Sequence, residues 1–162
     1  MADPTLPVVP PPPLGVRRLG AHDAERLRRL NALFADAFGD TETYLAQPPD
    51  PAWVQQTLAN PQVIALVAER GDDVVVGGLV AYELPKLERR RSEVYLYDLA
   101  VAEAHRRQGI ATRLIDALRA IAREQGAWVV YVQADHGDDP AIALYTKLGV
   151  REDVMHFDLP LN

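Results

Sequence analysis

Asp98-Leu99-Ala100-Val101-Ala102-Glu103-Ala104-His105-Arg106-Arg107-Gln108-Gly109-Ile110-Ala111 is the stretch whose local structure constrains the rest of the chain. An apolar, β-branched and aromatic run from Glu93 to Val101 predicts a strand. A short loop follows, and the spacing predicts a helix over Arg107 to Gln125, with Ile110, Leu114, Ile115, Leu118 and Ile121 on one face and Gly126 just past its end. The first turn of a helix offers about four unpaired N–H groups and roughly half a positive charge. Gly109 and Ala111 let a ligand approach that backbone closely, and Arg106 and Arg107 add fixed charge. Together they suit a pyrophosphate. Neither common nucleotide fingerprint is present: there is no Gly-x-x-x-x-Gly-Lys-Ser/Thr, the only lysines being Lys86 and Lys147, and no Gly-x-Gly-x-x-Gly.

Working outward, the pattern is β-α-α-β-β-β-α-β-α-β. Leu14 to Leu19 reads as a first strand. Asp23 opens a helix with Leu27, Leu30, Leu33, Phe34, Ala37 and Phe38 at three- and four-residue steps, stopped by Gly39. Asp40 to Pro49 reads as a loop. Asp50-Pro51 starts a second helix with Val54 and Leu58 inward, and Asn60-Pro61 ends it. Val63 to Glu69 and Val74 to Leu84 are strands joined by the turn Arg70-Gly71-Asp72-Asp73, and Lys86 to Arg91 is a charged link. Trp128 to Ala134 reads as a strand buried on both faces. Asp139-Pro140 starts a last helix with Ile142, Leu144, Tyr145 and Leu148 inward, and Val150 to Leu159 reads as a terminal strand or two. Three antiparallel strands followed by two strand–helix crossovers make the sheet mixed and the fold class α+β.

A length of 162 residues fits one domain with a real core, here residues 14 to 162. Residues 1 to 13 hold six of the thirteen prolines and read as an extended, disordered tail. The net charge of −6 disfavours a nucleic-acid binder and suits a cationic partner. The absence of cysteine excludes disulfides, thiolate metal sites and a thiol nucleophile, and the one serine, Ser92, lies beside three arginines. His22, His105, His136 and His156 lack metal-ligand spacing, so no metal is expected. There is no apolar leader and no membrane-length apolar stretch, and the default location is the cytoplasm.

Arg106-x-x-Gly109-x-Ala111 resembles the pyrophosphate loop of the GNAT N-acetyltransferases. Longer blocks resemble the type I aminoglycoside 3-N-acetyltransferases, the gentamicin acetyltransferases. They are Tyr97 to Val101, His105 to Thr112, Tyr131 to Asp135, Gly137 to Ala141, Ala143 to Gly149 and Glu152 to Asp158. The resemblance implies the GNAT acyltransferase fold, a mixed central sheet with a splayed strand pair flanked by helices. It implies acetyl-CoA as co-substrate, gripped by Arg106, Arg107, Gln108, Gly109, Ile110, Ala111 and Thr112, with the backbone of Leu99, Ala100 and Val101 holding the pantetheine arm. It implies a homodimer as well.

The resemblance also gives Tyr145 the task of protonating the departing thiolate, although the same residue fits the apolar stripe of its helix. The acceptor amine must lose a proton before it attacks. Asp98, costly to bury in an apolar strand without a partner, is the candidate to hold that amine and take its proton; a structural hydrogen bond is the other reading. Asp36, Asp40 and Glu42 fall where acceptors bind in the family, and Asp135, Glu152 and Asp153 are further candidate contacts for a polycation. Asp138 and Asp139 fit better as helix caps. The expected reaction is acetyl transfer to the 3-amino group of an aminoglycoside by direct attack in a ternary complex, conferring resistance. The alternatives are another cationic amine, such as a polyamine or a protein lysine, and a non-catalytic acyl-CoA-binding module.

Overall fold

The computed structural model describes residues 11–161. Most of the proline-rich tail expected over 1 to 13 lies outside the described residues; within them, the Pro12 carbonyl accepts a hydrogen bond from Arg70 Nη1 at 2.9 Å. The chain forms two compact units, one running to Val132 and the other Gln133–Asn162.

The larger unit is a sheet of five strands, β1 (Leu14–Arg18), β2 (Val63–Arg70), β3 (Val74–Pro85), β4 (Ser92–Val101) and β5 (Ala127–Val132), in that spatial order. The first four pair antiparallel and β4 pairs β5 parallel, so the sheet is mixed as the sequence predicts. Its helices are α1 (Ala24–Phe38), α2 (Thr41–Leu45), α3 (Pro51–Ala59) and α4 (Ile110–Glu124). Helix boundaries follow local chemistry. Gly39 takes a left-handed φ of 65° and returns its N–H to the last turn of α1. The Asp50 carboxylate accepts from the N–H groups of Ala52 and Trp53 to open α3. The segment from Asp40 to Pro49 is not wholly a loop: Asp40 accepts from the Thr43 N–H, and that cap supports the single turn α2.

The two faces of the sheet are read from the register. Ala65 and Val67 of β2 join Leu30 and Phe34 of α1, Val54 and Leu58 of α3, and Ala100 of β4 in one core cluster, with Val80 packed against it. Ile64, Leu66 and Ala68 alternate with them and lie on the opposite face, where α4 buries Ile110, Leu114, Ile115, Leu118 and Ala122. Glycines permit the close approaches. A Cβ on Gly78 would meet Leu30 of α1 and sit 2.6 Å from the Leu66 carbonyl; one on Gly77 would come within 3.2 Å of Ile110.

Two irregularities shape the middle of the sheet. Leu96 pairs with Ala81 and Asp98 with Val80, so Tyr97 is an extra residue, a β-bulge in β4. β4 also pairs with β5 from Ser92 to Leu96, with a register shift between Ser92 and Val94, and the pairing ends where β5 ends, at Val132. β5 differs from expectation in burial. Among the described residues it pairs with β4 alone, so it is an edge, and Trp128 is 58% exposed.

The smaller unit contains α5 (Asp139–Leu148), with Pro140 in its first turn and Asp138 accepting from the Ala141 N–H. The strand or strands expected over Val150 to Leu159 are not formed; residues 150–161 carry no regular secondary structure. An extended segment becomes a strand only when a neighbour supplies the ladder, and Val154, Met155 and Phe157 stay exposed here. Local order in this stretch comes from side chains. Arg151 pairs with Asp153 at 2.7 Å, and His156 lies 3.0 Å from Asp158 and 3.2 Å from Gln133.

Candidate active site

Strict alternation along β4 would put Asp98 on the same face as Val94 and Leu96, in the core beneath α4. The extra residue Tyr97 prevents this. Asp98 instead pairs with Val80 on the α1–α3 face, where it is half-buried. There the Tyr44 hydroxyl donates to Asp98 Oδ1 at 2.9 Å, the one hydrogen bond to this carboxylate among the described residues. Burial pushes the Asp98 carboxyl above its ordinary value, and the Tyr44 hydrogen bond opposes that rise. The Tyr44 phenol is itself pushed up, first by burial and then by Asp98, so it remains a donor at any working pH.

Asp98 lies in the wall of a cavity of about 200 Å³ between α1, α2, α3 and the sheet. Leu27, Phe34, Leu58 and Val80 make it largely apolar, and Asn31, Thr57, Tyr82 and Asp98 supply polar groups. That volume is smaller than a drug-sized ligand needs, so a large acceptor would leave most of its bulk outside. Outside lies an aromatic row. Tyr82 and Tyr97 meet edge-on with centroids 5.9 Å apart, Tyr97 meets Tyr95 at 5.5 Å, and Tyr95 stacks on Tyr131 at 4.8 Å. Rings of this kind beside a carboxylate suit an ammonium or the flat face of a sugar.

Beyond the end of its pairing with β5, β4 leads into the predicted anion loop. Val101 O accepts from Arg106 Nε at 3.1 Å, and a 3-10 turn (Glu103–His105) carries the chain round. Arg107 takes a left-handed φ of 61°, unusual for a residue with a side chain, and Gly109 takes 76°. The first intrahelical bond of α4 is from Arg113 N to Gly109 O. No side chain caps this helix, unlike α2, α3 and α5, and its first turn carries no acid, unlike those of α1, α2 and α5. A Cβ built on Gly109 meets nothing within 4 Å, so the turn faces open space. The loop is braced by Arg70 of β2, whose Nη2 donates to Gln108 Oε1 at 2.9 Å. An uncapped helix start with exposed Arg106 and Arg107 fits the diphosphate of a CoA thioester.

The remaining candidates divide by position. Asp40 is engaged as the α2 cap, which holds its carboxyl below the ordinary value; Asp36 and Glu42 are exposed and do not line the cavity. Asp135, Tyr145, Glu152 and Asp153 belong to the smaller unit. Asp153 is paired with Arg151, Asp135 and Glu152 are exposed, and Tyr145 is half-buried with its phenol pushed up to about 12 by burial and by Asp138. Sequence reasoning missed Tyr44, Asn31, Thr57, Tyr82 and Tyr97. Five tyrosines between positions 44 and 131, against an aromatic content of 7%, were the available signal. Among the described residues, no group of three or more histidine or acidic side chains could hold a metal ion, and no helix is long and apolar enough to cross a membrane.

A mixed sheet whose strand β4 leads into an uncapped, arginine-flanked helix start suits the binding of an acyl-CoA. The family model for the Acetyltransferase (GNAT) family matches residues 27–150, and the chain belongs to that family. Among solved structures it is similar to an aminoglycoside acetyltransferase from an uncultured soil metagenomic sample, at 49% identity and a TM-score of 0.90, covering 93% of this chain and 99% of that one. It is also similar, at 32% identity and a TM-score of 0.84, to a second soil metagenomic aminoglycoside acetyltransferase solved in complex with sisomicin, covering 92% and 97%. A curated relative is N-acetyltransferase 8B of Rattus norvegicus, 31% identical over 127 residues, which are 77% of this chain. The chain spans about half the length of the curated relatives it matches.

Proposed function

We propose that the protein transfers an acetyl group from acetyl-CoA to an amino group of an aminoglycoside, the 3-amino group by resemblance, and so confers resistance. The observation that carries this reading is Asp98, a half-buried carboxylate on the α1–α3 face of β4, beside a tyrosine-lined surface. The likeness to two aminoglycoside acetyltransferases over nearly their whole length supports the same substrate class.

Acetyl-CoA, when bound, supplies an activated thioester. Arg106, Arg107 and the first-turn N–H groups of Gly109 to Thr112 would hold its diphosphate, and the backbone of Leu99 to Val101, unpaired with β5, would hold the amides of its arm. Asp98 would hold the acceptor ammonium and take the proton that frees its lone pair. Tyr145 is assigned by resemblance to the departing sulfur. At about 12 its phenol stays protonated at neutral pH, and it acts chiefly as a hydrogen-bond donor, since it is a weaker acid than an ordinary thiol. The absence of cysteine and the burial of Ser92, the only serine, favour direct attack over a covalent acetyl-enzyme.

A second reading is acetylation of another cationic amine, a polyamine or a protein amine; the curated N-alpha-acetyltransferase relative from Saccharolobus solfataricus favours the protein amine. One screen separates the two: thiol release from acetyl-CoA with gentamicin-type compounds, spermidine and a lysine peptide, with the acetylated nitrogen located by NMR. Turnover confined to spermidine or peptide would overturn the aminoglycoside reading.

A further inference from the structure

Asp98 needs to be ionised to hold an ammonium, yet its burial favours the neutral acid. The groups facing it are few. α2 contributes Tyr44, β3 contributes Tyr82, and β4 itself contributes Tyr95 and Tyr97; Asp40, at the start of α2, acts on Tyr44. From α1 and α3 the cavity presents Asn31 and Thr57, neither of which ionises. Only Tyr44 donates to the carboxylate. Its position is set by packing. The ring lies 5.6 Å from Phe34, which is fully buried, and 5.8 Å from Phe38, while those two rings stack on each other at 5.5 Å. The turn that carries it is pinned by the Asp40 cap. The hydroxyl engages Oδ1 alone, which leaves Oδ2 as the oxygen with no partner among the described residues.

We propose that Tyr44 is a positioning residue for Asp98: its hydroxyl anchors Oδ1, keeps the carboxylate ionised in a half-buried site, and turns Oδ2 toward the acceptor amine. The proposal rests on the reading of Asp98 as the amine-binding group. It adds a specific partner, 54 residues away in sequence, which nothing in the local sequence around Asp98 announces.

The test uses the full chain and two readouts. Tyr44→Phe keeps the ring against Phe34 and Phe38 and removes only the donor. The acidic limb of its kcat/KM profile should move to higher pH, with kcat/KM about 10-fold lower on that limb and recovering as pH rises, in keeping with one hydrogen bond to a charged group. Affinity for acetyl-CoA, measured by calorimetry, should not change. Independently of any acceptor, the carbon-13 titration of the Asp98 carboxyl should shift upward in Tyr44→Phe. Should Tyr44→Phe fold poorly, site-specific fluorotyrosine at position 44, a stronger donor of nearly the same shape, should move both readouts to lower pH. An Asp98 titration that ignores these changes would overturn the proposal. A shifted titration in a protein that acetylates no aminoglycoside would leave the Tyr44 assignment standing and overturn the substrate instead.

Discussion

Asp98 is under opposing demands. Folding prefers it neutral, because burial penalises the charge, while the amine capture proposed for it needs it charged. The consequence for stability has a definite sign. Below the carboxyl range both folded and unfolded chains are protonated and there is no penalty. As pH rises through the raised folded value, the penalty is fully expressed. Asp98→Asn keeps the shape and can still accept from Tyr44. It should therefore melt higher than wild type at pH 7, the two converging below about pH 4. The same variant should lose roughly 10²–10⁴-fold in kcat/KM for the aminoglycoside with unchanged acetyl-CoA affinity. Melting curves across pH, set beside steady-state kinetics, check both halves. An Asn variant that turns over normally would make Asp98 structural.

At the scale of elements, glycine does two different jobs. Gly109 starts α4 with a left-handed φ of 76° and open space at its Cβ position, so the cost of a side chain there falls on the backbone and on whatever binds the turn. Gly109→Glu should abolish acetyl-CoA binding by adding a like charge to the diphosphate site, and titration calorimetry on the folded variant would detect retained affinity if the assignment is wrong. Gly78 has an ordinary backbone but no room: its Cβ would meet Leu30 and the Leu66 carbonyl. Because backbone cannot swing aside as a side-chain tip can, Gly78→Ala should cost about 1–3 kcal/mol of stability, read by denaturant unfolding. The α1–sheet contact that this glycine permits also carries Asn31 and Phe34 into the cavity wall, so the same variant should weaken acceptor binding as well.

Over the whole molecule, a net charge of −6 coexists with a cationic helix start. In the proposed reaction the two substrates would meet opposite local fields: an anionic cofactor at Arg106 and Arg107, a polycation at Asp98. Raising sodium chloride from about 50 mM to 500 mM shortens the Debye length from over 10 Å to under 5 Å. KM for the aminoglycoside and Kd for acetyl-CoA should both rise, with little effect on kcat. Salt-independent KM for a polycationic acceptor would show that charge plays no part in its capture. The cavity beside Asp98 would constrain the proposed acceptor differently: at about 200 Å³ it admits a fragment, which would leave the rest of an aminoglycoside against the exposed Tyr82 and Tyr97 surface.

Features set by short-range chemistry were legible in the sequence. Gly39 as the stop of α1, Asp50 and Asp138 as caps, the helix expected from Arg107, which starts later at Ile110 because Arg107 and Gly109 take left-handed φ, and the resemblance carried by Arg106-x-x-Gly109-x-Ala111 all depend on hydrogen bonds and side-chain periodicity within a few residues. Asp98 was legible as a residue but not as a site. Alternation along β4 points it into the α4 core, and only the bulge at Tyr97, visible in the pairing of Val80 with Asp98 and Ala81 with Leu96, turns it to the other face. Tyr44 reads as part of a polar loop until α1 and β4 are packed together. β5 reads as a central strand because its composition is apolar, yet its exposure depends on how many neighbours it pairs with. The apolar stretch from Val150 reads as a strand because composition does not reveal whether a ladder partner exists. The sequence by itself determined what each segment can do with its immediate neighbours. Which face a residue occupies, which strand is an edge and which hydroxyl meets which carboxylate are decided by register and packing between segments far apart in the chain, and those contacts form only in the folded molecule.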